Sequence, residues 1–315
     1  MLSTPWSRDF GLPLPVVNAP MGGVAGGRLA AAVTAAGGLG MIGMGSGGSV
    51  AALERELPHV QDLAGRFGIG LVDWVVAARP GLLEAAIAAL PALISVSFGT
   101  DLSWVTAVRD AGIRTATQVY DAEDARRAQD AGIDLLVARG EEGGGHGAAG
   151  LATLPLLDEV LAVAETPVLA AGGVGGPASL AAVLAAGASG AWLGTCLAAC
   201  TESLLSDAGR AALVAAEGGA TVLTRAVDVG LGLPWPARFP TRVLRNSFTS
   251  RWSGHEAALA EDAAARGELV AAIAADNLDI APVDAGEGVG AIRAIRPVSE
   301  VLGEMCSGAA RLLGA

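Results

Sequence analysis

The chain has 315 residues, is 52% hydrophobic and 17% charged, and carries a formal net charge of −12. That apolar content excludes an intrinsically disordered chain, and the acidic balance excludes long-range attraction to nucleic acid or to an anionic membrane. All 20 Lys+Arg residues are arginine, so no lysine is present for Schiff-base chemistry or for anchoring a cofactor.

The first 17 residues contain no basic segment followed by an apolar one, and Gly, Pro and charge interrupt every apolar stretch before about 20 residues. A soluble cytoplasmic protein without a signal peptide or membrane span is expected. Cys196, Cys200 and Cys306 are odd in number, which suits free thiols in a reducing compartment. Cys196 and Cys200 lie one helical turn apart with no His or further Cys nearby. They read as core packing, and no metal is expected.

From Pro15 to about Cys200 one unit repeats: a short apolar run, a turn, then an Ala/Leu-rich stretch of helical period. The runs are PVVNAPM (15–21), LGMIGMG (39–45), FGIGLV (67–72), LISVSF (93–98), RTATQV (114–119), DLLVAR (134–139), PVLAAGG (167–173) and GAWLGT (190–195). They lack polar/apolar alternation, as strands of a parallel sheet covered on both faces do. The intervening segments 28–38, 103–112, 122–132 and 179–187 each end in glycine, the residue that best closes a helix. Eight such units predict an α/β fold, a (β/α)8 TIM barrel over residues 1–204. A doubly wound sheet shares the alternation; the count of eight and the glycine-rich strand ends favour the barrel.

Beyond residue 204 the pattern changes. Residues 218–248 show no clear βα unit and contain Pro234, Pro236 and Pro240, while 255–275 reads as a polar-faced helix. An insertion or small, mostly helical lobe is expected over 205–295. A closing amphipathic helix in 296–315 is expected to pack back on the first strands. The stretch LGLPWPARFP (231–240) reads either as a lid or as a contact in a homodimer.

In such a barrel the chemistry sits at the C-terminal ends of the strands. The sixth run leads into ARGEEGGGHGAAG (138–150), which places His146 in a loop whose glycines, Gly145 among them, have no evident packing purpose. Glycine lets backbone approach a ligand, and histidine changes charge near neutral pH. His59 and His255 lie in polar helical surroundings and read as surface residues.

The seventh and eighth runs end in Gly172–Gly173 and Gly194–Thr195. Backbone N–H groups there, with the Thr195 hydroxyl, suit a phosphate dianion. After the first run, Ala19, Pro20, Met21 and Gly22 form a turn suited to lying against a flat ring system. Gln118, an amide in an apolar run, needs a buried partner, for which a cofactor is a candidate. The glycine cluster GMGSGGS (43–49) lacks the context of a dinucleotide fingerprint and reads as the turn after the second strand.

Three segments, 18–43, 140–150 and 167–195, together with their order, resemble the nitronate monooxygenase family, formerly called 2-nitropropane dioxygenases. The resemblance spans roughly residues 13–205. It implies a barrel that binds FMN and oxidises alkyl nitronates, and nitroalkanes as a further class, with O2 to carbonyl compounds and nitrite. It implies phosphate contacts at Gly172, Gly173, Gly194 and Thr195, ring contacts at Ala19, Pro20 and Met21, a polar flavin contact at Gln118, and catalysis by His146. Two positions depart from the family pattern. Gly70 stands where the family often has Asn, with the loss of a polar contact, and Gly143 stands where the family's usual Glu-Ala-Gly-Gly-His loop has Ala, which is expected to loosen the loop before His146. Tyr120 is the one tyrosine of the chain. An NAD(P)H-dependent flavin reductase, of the enoyl-acyl-carrier-protein reductase or quinone reductase kind, shares the same loops. A non-enzymatic flavin-binding protein is the third reading.

Overall fold

The structure is a computed structural model that describes residues 2–63 and 65–314; Met1, Ala64 and Ala315 lie outside the described residues. Its strands are β1 (Val16–Asn18), β2 (Met41–Gly43), β3 (Gly68–Val72), β4 (Leu93–Ser97), β5 (Arg114–Val119), β6 (Leu135–Arg139), β7 (Gly145–His146), β8 (Val168–Ala171), β9 (Gly190–Leu193), β10 (Thr221–Thr224) and β11 (Thr241–Leu244). Eight of them form one parallel sheet in the order β1-β9-β8-β6-β5-β4-β3-β2. All eight coincide with the apolar runs of the sequence.

A parallel bridge between Val17 and Leu39 brings the two ends of this sheet together, making a nearly closed barrel. The seam has few ladder bonds, and a buried side chain supplements them. The Asn18 amide donates to the Met41 carbonyl at 2.9 Å and its oxygen accepts from the Met41 N–H at 2.6 Å. One side chain thus satisfies both backbone groups of the facing residue, which burial would otherwise leave costly.

Leu39, Met41, Leu93, Leu135, Val137 and Leu169 fill the barrel interior together with Trp192. Trp6, on the helix Pro5–Asp9, joins that cluster. It lies beside Gly190 at the N-terminal end of β9, and the Thr4 hydroxyl donates to the Ser189 carbonyl at 2.6 Å. The N-terminal helix therefore covers the end of the barrel opposite the loops that follow the strands.

The region after residue 204 is mostly helical, as expected, and within it β10 and β11 pair antiparallel, β11 in turn pairing with β7, the strand that carries His146. Each of these strands is four residues or fewer and finds its partner across a long stretch of chain, so no local alternation announces them. The closing helix, Val298–Leu313, packs on the helices Gly27–Ala35 and Pro177–Ala185 and not on the first strands. The strands' outer faces are already occupied by their own helices, and Gly308 admits Pro177 so closely that a Cβ there would come within 2.6 Å of it. No helix among the described residues is long and apolar enough to cross a membrane.

Candidate active site

A cavity of about 850 Å³ opens at the C-terminal ends of the barrel strands. Ala19, Pro20, Met21, Gly22, Gln118, Gly145, His146, Gly172, Gly173, Gly194 and Thr195 all line it. The sequence-predicted residues are therefore brought to one place. Its volume falls in the upper part of the range typical of small-molecule sites, about 300–1,000 Å³. His59 and His255 are exposed and lie elsewhere.

The turn after β1 is held by the Ala19 N–H, which donates to the Leu193 carbonyl at 2.7 Å, and by a bond from Ala25 N–H to the Met21 carbonyl at 2.8 Å. Pro20 lies across the ends of β2 and β3. A Cβ at Gly43 or at Gly70 would overlap it. Gly70 is thus more than a lost polar contact: Pro20 already fills the space a longer side chain would need.

Gly172 and Gly173 take positive φ values of 108° and 66°, a conformation that favours glycine. Among the described residues, no oxygen accepts from the N–H groups of Gly173, Val174, Gly194 or Thr195, all of which line the cavity. Buried amides are almost always paired, so four unspent donors at the ends of β8 and β9 fit a phosphate group. The Thr195 hydroxyl oxygen accepts from the Gly286 N–H at 3.0 Å, which leaves its own proton to donate.

The glycines before His146 have a packing role that their sequence does not reveal. Arg139, at the end of β6 and only 4% exposed, points its guanidinium at the loop. It donates to the carbonyls of Gly140, Gly143, Gly144 and Gly145 at 2.9 to 3.1 Å. A Cβ at Gly143 would come within 2.9 Å of that guanidinium, and one at Gly147 would overlap it. A Cβ at Gly144 would come within 2.6 Å of the Gly286 nitrogen. The loop is pinned, contrary to the looseness its composition suggests. Burial lowers the proton affinity of Arg139 from its usual value, yet the carbonyls around it hold a cation in place.

His146 stands opposite Thr241 on β11. Its Nε2 lies 2.9 and 3.0 Å from the two carboxylate oxygens of Asp228, which is 4% exposed and sits on the helix Ala226–Leu231. The Trp235 indole stacks on the imidazole. Phe98, held at a φ of 73° just after β4, meets Trp235 edge-on. A positive φ at a bulky residue is strained and persists where surrounding packing imposes it.

Asp284 accepts from the Thr241 hydroxyl at 3.2 Å, and burial raises its carboxyl above the ordinary carboxylate range. The Gln118 side-chain oxygen accepts from the Tyr120 hydroxyl at 2.8 Å, so a protein group supplies part of the partnership expected from a cofactor. Burial pushes the Tyr120 phenol up, which keeps it a donor at neutral pH.

Arg139, Asp228, Trp235 and Asp284 escaped the sequence reading as site residues. Asp228 and Asp284 each stand as a single acid in an apolar run, AVDVGLG and IAPVDAG. A lone carboxylate flanked by core-type residues is the available sign, because the chain around it is packed and the acid then needs a partner, as Asp228 has, or a cavity, as Asp284 has.

The profile of the family described as Nitronate monooxygenase matches residues 82–308. The chain is 30% identical over 287 residues to the nitronate monooxygenase of Paraburkholderia phytofirmans, covering 76% of each chain. It is 29% identical over 333 residues to that of Pseudomonas aeruginosa, covering 82% of this chain and 94% of the relative. Nitroalkane oxidase from Streptomyces ansochromogenes superposes with a TM-score of 0.83 at 28% identity, over 98% of this chain and 99% of that one. FabK from Thermotoga maritima superposes with a TM-score of 0.86 at 25% identity, over 100% of this chain and 98% of that one. A profile match running from residue 82 to residue 308, with relatives near 30% identity over most of the chain, makes this protein a member of the nitronate monooxygenase family and an oxidoreductase of that type, for which a flavin is implied.

Proposed function

We propose that the protein binds FMN and oxidises alkyl nitronates, and nitroalkanes as a further class, with O2 to carbonyl compounds and nitrite. The observation that carries this reading is the sharing of one cavity by His146 and the four unspent N–H donors of Gly173, Val174, Gly194 and Thr195. A phosphate on those amides and a reacting carbon beside the imidazole would occupy the same space without rearrangement of the barrel.

FMN, when bound, supplies the redox chemistry. Gly172, Gly173, Gly194 and Thr195 would hold its phosphate, and Ala19, Pro20, Met21 and Gly22 would lie along its ring. Gln118 would turn its remaining amide N–H groups toward the polar edge of that ring. Gly145 would let the His146 loop approach closely. His146 would hydrogen-bond a nitronate oxygen or remove the proton α to a nitro group, with a contribution of about 10² to 10⁴ in rate. Residues 205–295 would serve as a cover that excludes water, a reading supported by the pairing of β11 with β7 and by the position of Trp235.

The test is an anaerobic absorbance spectrum of the FMN-loaded protein, recorded before and after adding a nitronate and separately NADH. Bleaching by nitronate and not by NADH supports the monooxygenase. Bleaching by NADH alone replaces it with a flavin reductase. His146→Asn should keep the flavin bands and lose most turnover of nitroalkanes; full activity would remove His146 from the reaction.

A further inference from the structure

Among the described residues, the one polar side-chain group within hydrogen-bond distance of the Asp228 carboxylate is Nε2 of His146. The imidazole Nδ1 makes no hydrogen bond to any described residue. A carboxylate only accepts, so a nitrogen placed between its two oxygens carries a proton. When the imidazole is neutral, its lone pair is then on Nδ1.

The charged groups around this ring come from three elements. Asp228 lies on the helix Ala226–Leu231, Asp284 on the segment that follows helix Ala263–Ala274, and Arg139 at the end of β6. Phe98 and Trp235, which also face the ring, are uncharged. The Arg139 donors are committed to loop carbonyls.

We propose that Asp228 is a positioning residue that keeps the proton of neutral His146 on Nε2 and makes Nδ1 the basic nitrogen, the one that takes the α proton when a nitroalkane is the substrate. This deepens the function proposed above and rests on His146 being the base. In the step assigned to the pair, the C–H bond α to the nitro group breaks. Its electrons form the C=N bond, a nitro oxygen takes the negative charge, and the proton passes to Nδ1. The imidazolium so formed is balanced through Nε2–H by Asp228, whose carboxylate is buried and little screened by solvent. No oxidant takes part in this step.

The experiment combines ¹⁵N NMR of the histidine side chains with kinetics on nitroethane and on pre-ionised ethyl nitronate. His59→Gln and His255→Gln, both at exposed positions, assign the spectrum to His146. The FMN-loaded wild type should show the neutral ring protonated on Nε2, and the isosteric Asp228→Asn should shift the tautomer balance toward Nδ1. A wild-type ring protonated on Nδ1, or an unchanged ring in Asp228→Asn, overturns the positioning role. In kcat/KM, Asp228→Asn should lose about 100-fold on nitroethane, at least about 30-fold more than on ethyl nitronate. Equal losses on both overturn the assignment of Nδ1 as the nitrogen that takes the α proton. Wild type inactive on both substrates overturns the proposed oxidation, while the tautomer still decides on Asp228. If Asp228→Asn fails to fold, the wild-type spectrum remains decisive.

Discussion

The indole of Trp235 lies flat on the imidazole of His146, with 3.5 Å between ring centroids and 7° between their planes. The same indole donates from Nε1 to the Ser46 hydroxyl at 3.0 Å, on the loop after β2. It also meets Trp74 and Phe98 edge-on at 5.7 and 5.0 Å. The segment 231–240 is thus fastened across the barrel mouth by one side chain that also fixes the plane of the imidazole. An aromatic stack of this kind contributes about 0.5–1.5 kcal/mol beyond its burial. Trp235→Ala should lower kcat/KM for nitroethane about tenfold, the equivalent of about 1.4 kcal/mol, with flavin content retained. Trp235→Phe, which keeps a stacking face and loses the Ser46 bond, should fall between. Steady-state kinetics on the two variants checks the order; an alanine variant as active as wild type would show the stack to be incidental.

Arg139 is the post around which the histidine loop is wound. Removing it leaves several buried carbonyls without a donor, and hydrogen bonds to charged groups are worth about 1.5–3 kcal/mol each. Arg139→Met should destabilise the protein by about 3 kcal/mol or more in urea unfolding. Arg139→Lys should recover only part, because one ammonium cannot reproduce a planar fork that reaches carbonyls from Gly140 to Gly145. Full recovery by lysine would mean that charge alone, and not the fork, holds the loop.

Two glycines test the cofactor cradle from opposite sides. At Gly172 a Cβ would come within 2.7 Å of the Thr153 hydroxyl, on a backbone of positive φ. At Gly70 it would overlap Pro20. Gly172→Ala and Gly70→Ala should each weaken FMN binding by about tenfold or more, the second by moving Pro20 off the ring face. Fluorescence titration of apoprotein with FMN measures both; unchanged affinity in either variant would dissociate that loop from the cofactor.

Burial raises the Asp284 carboxyl above its unfolded value. Between those two values the folded state binds more protons than the unfolded one, so stability falls as pH rises through that window. Below about 3.8, where the carboxyl is protonated in both states, the penalty is absent. Asp284→Asn, which can still accept from Thr241, should therefore raise the melting temperature at neutral pH, with the gain shrinking as pH falls toward 4. A gain independent of pH would assign the effect to packing and not to charge.

The thiols respond in the alkaline range. Burial pushes Cys196 up to about 12 from 9.0. The unfolded chain then loses this proton first, so the stability that the neutral thiol lends is present below about 9 and is lost as pH rises toward 12. Native protein at pH 8 should leave Cys196, Cys200 and Cys306 unreacted with a thiol reagent until it is unfolded, since all three are buried. Rapid labelling of the native protein would show one of them to be accessible.

All eight barrel strands and the loops that follow them could be placed from the amino-acid sequence by itself. Strands covered on both faces must be apolar throughout, and helices that end before such strands close on glycine, so each unit carries its own local mark. Those marks also located Gly172, Gly173, Gly194, Thr195 and His146 at strand ends. The partners of His146 carry no such mark. Asp228 is 82 residues from it, and they meet only because β11 folds back on β7 and carries the covering segment over the barrel mouth. The packing of Arg139 among glycines is equally invisible in the chain, since a glycine that makes room for a guanidinium and one that frees a loop are the same letter. Periodicity records which residues are buried; which buried groups face one another is set by how distant segments pack, and the tertiary structure alone contains that.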